Sequence, residues 1–146
     1  IMYRAIFSNK NKFGKQHHFV IMMRYIAQGL IKLNPASVSV FWDAKRDTLW
    51  RKKVYLSYKD RDHTKHKFDI REDMTLTLAA SKEVFKHMGV RQFERKKQEA
   101  DDLLYSACYV LAPHPVVVVS TDKDLHQLPF RMAHVDVYDH IKDTFV

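Results

Sequence analysis

Val116-Val117-Val118-Val119-Ser120-Thr121-Asp122-Lys123-Asp124 is the stretch on which the reading of the fold turns. Pro113 and Pro115 stand before it and a polar turn follows it. Four consecutive β-branched residues so bounded have the pattern of a fully buried strand in a parallel sheet. Open sheets of that kind bind ligands beyond the carboxyl ends of their strands, which is where Asp122 and Asp124 fall.

Working outward from this strand, helices and strands alternate. Glu99-Ala100-Asp101-Asp102 runs into the apolar-periodic stretch Leu103 to Leu111, a helix with three carboxylates in its first turn. Asp69 to Met88 reads as another helix, with Met74, Leu78, Val84 and Phe85 near one face and Gly89 as its stop, and a short strand follows at Val90 to Phe93. Further upstream, Ser37 to Trp42 alternates and is rich in β-branched and aromatic residues, a strand that finishes at Asp43. His18 to Leu33 places Phe19, Met22, Met23, Ile26, Leu30 and Leu33 at helical spacing and is ended by Asn34-Pro35. Downstream, Val135 to Tyr138 is one more strand. The order predicts an α/β domain.

Composition bounds the partners. A chain of 146 residues with 46% hydrophobic content buries one proper core. No apolar run approaches the roughly 20 residues that cross a bilayer, so a soluble protein with no membrane partner is expected. Cys108, the only cysteine, lies among Leu104, Ala107 and Leu111 and reads as a buried thiol in a reducing compartment. The formal charge is +8, and the segment from Lys45 to Lys67 carries nine Lys/Arg against three Asp. Trp50, Tyr55 and Tyr58 are interleaved with those cations, a mixture suited to a single-stranded polyanion through phosphate attraction and base stacking. The nine histidines have no zinc-ligand spacing and read as surface or phosphate-facing groups. The chain begins at Ile1 and enters at once an apolar stretch to Phe7, which reads as a fragment.

Three acidic groups arise separately at positions that such a sheet gathers: Asp43, then Glu99, Asp101 and Asp102, then Asp122 and Asp124. Carboxylates packed around one cleft repel one another unless cations neutralise them, and the fitting cations are Mg²⁺ or Mn²⁺, hard ions that take oxygen ligands. Each group also has a plainer use, as helix-dipole partner or turn residue. Their conjunction favours a metal site for phosphodiester hydrolysis.

These blocks resemble a known family. Glu99-Ala100-Asp101-Asp102, followed about twenty residues later by the Ser120 to Leu128 block, is similar to the two signature blocks of the 5′-3′ exonuclease and flap-endonuclease family. Phe41-Trp42-Asp43-Ala44-Lys45, Trp50-Arg51-Lys52 and Tyr58-Lys59-Asp60-Arg61 resemble the block that precedes its helical arch, most nearly in the bacteriophage enzymes called RNase H. The similarity spans nearly the whole chain.

The resemblance implies a three-layer PIN-like α/β fold with a mostly parallel central sheet and a basic helical arch. Asp43, Glu99 and Asp101 would bind a first divalent ion, with Asp102, Asp122 and Asp124 around a second. Arg51 and Lys59 would act on the scissile phosphate. Lys45, Arg46, Lys52, Lys53, Tyr58 and Arg61 would join them in holding nucleic acid, with Tyr58 stacking on a terminal base. The implied activity is Mg²⁺-dependent cleavage near a 5′ end or flap of DNA or RNA-primed DNA, by a monomer in the cytoplasm of a bacterial or phage-infected cell, with replication proteins as candidate partners. The family's first strand with its Asp and its late helix-hairpin-helix-like element have no counterpart in residues 1–146, so this chain alone is expected to be weakly active or inactive. Two alternatives stand beside this reading: a PIN-type ribonuclease and a non-catalytic nucleic-acid-binding module.

Overall fold

A computed structural model describes residues 17–45, 48–58 and 71–146, apart from the side chains of 17, 18 and 71–74. The chain divides into two units, Ile1–Val40 with Arg51–Gln92, and Phe41–Trp50 with Phe93–Val146. The described strands form two sheets, one of two strands and one of three.

In the first unit, helix α1 spans His17–Leu33 and α3 spans Arg71–His87, with the short α2 at Trp50–Val54 across the boundary. Asn34 ends α1 in the left-handed region, φ 42°, its amide returning to the Leu30 carbonyl at 2.9 Å. Asn tolerates that conformation better than most residues. The expected apolar face of α3 is only partly the buried one. Its innermost side chains are Thr77, Ser81 and Phe85, Leu78 and Val84 are half-buried, and the side chain of Met74 lies outside the described residues. The reason is steric. Ser81, fully buried, bonds back to the Thr77 carbonyl and lies 3.8 Å from the Met22 sulfur, so two small polar residues admit the long side chain from α1. Gly89, φ 69°, closes α3 as expected: its amide reaches the Lys86 carbonyl, and Val90 reaches that of Phe85, the paired bonds of a Schellman motif.

Strands β1, Ser39–Trp42, and β2, Arg91–Glu94, form the two-stranded sheet, with the Phe41 and Phe93 rings stacked at 5.2 Å. In the second unit follow α4, Ala100–Val110, β3, Val116–Val119, a 3₁₀ turn at Lys123–Gln127, α5, Leu128–Arg131, β4, Val135–Asp139, and β5, Thr144–Phe145. β3 and β4 pair parallel, Val116 opposite Val135 and Val118 opposite Val137; β5, which the sequence did not announce, pairs antiparallel to β4. The core is Cys108, Val118, Leu125, Leu128, Met132, Val135 and Val137, with Leu104 and Val116 against it. The fold class is thus α/β with a parallel strand pair, as expected.

Full burial of β3 is corrected. Val118 is buried, but Val117 and Val119 on the other face are 39% and 37% exposed. A strand alternates its side chains between two faces, and the core residues pack on only one of them. Cys108 is buried, and burial pushes its thiol up from the usual range.

Asp139 closes the β4–β5 hairpin. Its buried carboxylate accepts the Ile141 amide at 2.9 Å and the Lys142 amide at 3.1 Å. Burial pushes its pKa up, but the two amides and the charges of Lys142 and His140 outweigh that and leave it below the usual carboxylate range. A carboxylate so lowered favours the fold fully above its unfolded pKa, about 3.9, and loses that contribution as pH falls through the folded value. Asp139→Asn is expected to cost about 1 kcal/mol near neutral pH, the gap between charged and neutral hydrogen bonds. It should also flatten the loss of stability below about pH 4. Urea denaturation across pH checks both, and an unchanged acid limb would contradict the assignment.

Candidate active site

Asp43 leaves the end of β1 and is drawn onto the start of α4. The amide of Ala100 donates to its Oδ1 at 2.7 Å, across 57 positions of chain. Two backbone bonds align the flanking segments: Ala44 donates to the Gln98 carbonyl and Trp50 to that of Lys97, each at 3.0 Å. Ala44 and Leu49, in the same stretch, are buried.

Glu99 is the N-cap of α4, extended at φ −87° and ψ 159°, and is buried. Its amide donates to Asp102 Oδ2 at 3.1 Å, one arm of a capping box whose other arm returns from the Asp102 amide to the Glu99 carboxylate. Helix starts favour such carboxylates because their amides lack intrahelical partners and carry the positive end of the dipole. Asp101 and Asp102 are half-buried in the same turn.

Asp122 and Asp124 form the second acid group, exposed at the carboxyl end of β3. Asp122 Oδ1 accepts the Asp124 amide at 3.0 Å and starts the 3₁₀ turn, while the Asp122 amide donates to Ser120 Oγ at 3.1 Å. Gln127 braces the turn through the Asp124 carbonyl at 2.8 Å. Ser120 and Gln127, which sequence reasoning passed over, are betrayed only by their spacing from the two acids.

All six acids belong to the second unit. As donors they suit a hard divalent cation, because every candidate ligand is a carboxylate oxygen. Among the described residues, however, no three His, Cys, Asp or Glu side chains are grouped as ligands of one ion. The plainer roles are visible instead: Asp43, Glu99, Asp102 and Asp122 each take a backbone amide.

Of the basic residues, Lys45 is exposed in the second unit; Arg51 and Lys52 are half-buried on α2 and Lys53 is exposed. Arg51 lies over the ring of Tyr58 at 6.0 Å, a cation–π contact. Arg46, Lys59 and Arg61 lie outside the described residues. Three of the described histidines depart from the surface reading: His126 and His140 are half-buried with buried ring nitrogens, and His134, also half-buried, bonds the Cys108 carbonyl at 2.8 Å, tying α4 to the start of β4.

Residues 1–146 match, from end to end, the family described as the 5′-3′ exonuclease, N-terminal resolvase-like domain. The chain belongs to this family. The 5′-3′ exonuclease N-terminal domain is a nuclease domain, which the acid groups on α4 and after β3 suit chemically. Within the family the chain is 30% identical over 112 residues to the flap endonuclease Xni of Pectobacterium atrosepticum, covering 75% of this chain and 40% of that protein. The Xni of Pectobacterium carotovorum subsp. carotovorum is 31% identical over the same length. DNA polymerase I of Streptococcus pneumoniae is 27% identical over 121 residues, covering 82% of this chain and 13% of the polymerase. The chain thus spans well under half the length of the curated relatives it matches. No helix among the described residues is long and apolar enough to cross a membrane.

Proposed function

We propose that this domain is the catalytic part of a divalent-metal-dependent 5′ nuclease that hydrolyses phosphodiesters near the 5′ ends or flaps of DNA or RNA-primed DNA. The observation that carries the reading is the Asp43–Ala100 bond, which brings an acid from one strand end to a helix start holding three more. Family membership and relatives named flap endonuclease and DNA polymerase I agree with it. In the same reading the domain completes a three-layer PIN-like fold, acts as a monomer in a bacterial or phage-infected cytoplasm, and serves primer removal beside replication proteins.

Asp43, Glu99, Asp101, Asp102, Asp122 and Asp124 would hold Mg²⁺, or Mn²⁺ in its place. When bound, such ions supply neutralisation of the carboxylates and a more acidic water as nucleophile. The chain's own groups do the rest. Hydrogen bonds involving backbone amides hold Asp43, Glu99 and Asp102 at the helix start, and the lone pairs these leave open would be offered to the cation. Arg51 and Lys59 would offset charge developing on the scissile phosphate, and Tyr58 would stack on a terminal base.

In the full-length protein, Asp122→Asn is expected to lower Mg²⁺-dependent cleavage of a 5′-flap DNA by about a hundredfold or more, since even residues behind a metal's ligands cost 10- to 100-fold. Undiminished cleavage by the variant would overturn the acid-cage reading of Asp122, flap binding without cleavage by the unaltered full-length protein would leave a binding module, and faster cleavage of single-stranded RNA than of the flap would leave a ribonuclease.

A further inference from the structure

The unit that holds the six acids is itself short of positive charge. It carries eight Lys/Arg against eleven Asp/Glu, although the whole chain is at +8. A nucleic-acid strand approaching those acids is therefore repelled by the unit as a whole, and needs a cationic foothold close by. Three of the eight cations are consecutive, Arg95-Lys96-Lys97, two residues ahead of Glu99.

All three are exposed in a tight turn, closed by the Gln98 amide on the Arg95 carbonyl at 3.2 Å. The turn is fixed to the Asp43 segment: the Lys97 carbonyl takes the Trp50 amide, and the next carbonyl, of Gln98, takes that of Ala44. Exposed Lys45 follows Ala44 directly, so a fourth cation rises from the segment bonded to this turn. No ion pair with a described residue is recorded for any of the four. Lys97 also stands at φ 69°, a left-handed position where glycine is at ease and a lysine is strained. Strain kept in an exposed residue points to a use for its side chain.

We propose that Arg95, Lys96 and Lys97, with Lys45 beside them, form a phosphate-binding edge that seats the substrate's sugar–phosphate backbone next to the acid group of Asp43 and α4. In sequence it is distinct from the Arg51–Arg61 segment, and it rests on the nuclease reading above for its ligand. Its work is electrostatic and blind to sequence, offsetting the repulsion of the carboxylates while the backbone is held.

The full chain and a variant with Arg95→Ala, Lys96→Ala and Lys97→Gly are titrated with a fluorescent 5′-flap DNA, Ca²⁺ replacing Mg²⁺, between about 50 and 200 mM salt. Each lost phosphate contact lowers the salt slope of log affinity by about 0.9, so the variant's slope should be shallower by roughly 2 to 3 and its affinity at low salt about tenfold weaker or more. Glycine at position 97 keeps the turn. If the triple variant nonetheless melts lower, Arg95→Gln with Lys96→Gln carries the same comparison, with a slope change of about 2. Equal slopes and affinities in folded variants overturn the edge. Cleavage of the same flap in Mg²⁺ by the unaltered full-length protein is scored in parallel. Cleavage without a slope change sinks the edge alone, and absence of binding sinks the edge and the nuclease reading together. A shallower slope without cleavage supports the edge and places the failure in the nuclease reading.

Discussion

Flap cleavage by the full-length protein is expected to fall by about a hundredfold or more when Asp43 becomes asparagine, while the melting temperature scarcely moves. Asparagine retains an oxygen in place of Oδ1, so the Ala100 amide keeps its acceptor and α4 its anchor. What disappears is the negative charge. Asp43→Ala removes charge and acceptor together, and should add a stability loss of about 1 kcal/mol, typical of a lost helix-start bond. The pair of variants separates the two uses of one carboxylate. Single-turnover cleavage in Mg²⁺ beside thermal melts reads both, and an asparagine variant that cuts at the unaltered rate would reduce Asp43 to a structural bond.

Leu128→Ala is expected to be the costliest single truncation in the second unit. Leu128 is 1% exposed and starts α5, in the crossover that carries β3 into the parallel β4. It packs with Leu125, Met132, Val135 and Val137, so shortening it leaves a cavity under both strands. Leu→Ala losses at such positions run about 2–5 kcal/mol, which for a chain of this size lowers Tm by roughly 10 °C. Phe130, two residues on, is 90% exposed, and Phe130→Ala should stay within about 0.5 kcal/mol. Differential scanning calorimetry of the two variants tests the contrast, and equal melting would mean that the core has been misplaced.

The helices were legible because their ends carry chemistry that few other residues supply. Asn34-Pro35 and Gly89 stop α1 and α3 where backbone geometry requires them, and the acids before Leu103 mark the start of α4. Less was legible where side-chain type and packing part company. Thr77 and Ser81 are polar yet line the buried face of α3, because their small size admits Met22 and the helix's own carbonyl satisfies Ser81. The valine run announced a parallel strand, but not that one face would stay half open: four identical residues have no alternation from which to read it. The acids of the candidate site were legible as types and positions. That four of them take backbone amides was not, since a capping carboxylate and a metal ligand look alike in sequence.

Among the described strands, β3 also stands at the margin of its sheet, in the order β3-β4-β5. A run of valines at such a margin, with neither charge nor proline within it to discourage a foreign strand, can recruit other chains into cross-β stacking. Lysine in place of Val117 or Val119 would act as a gatekeeper on the half-open side and spare the packed one.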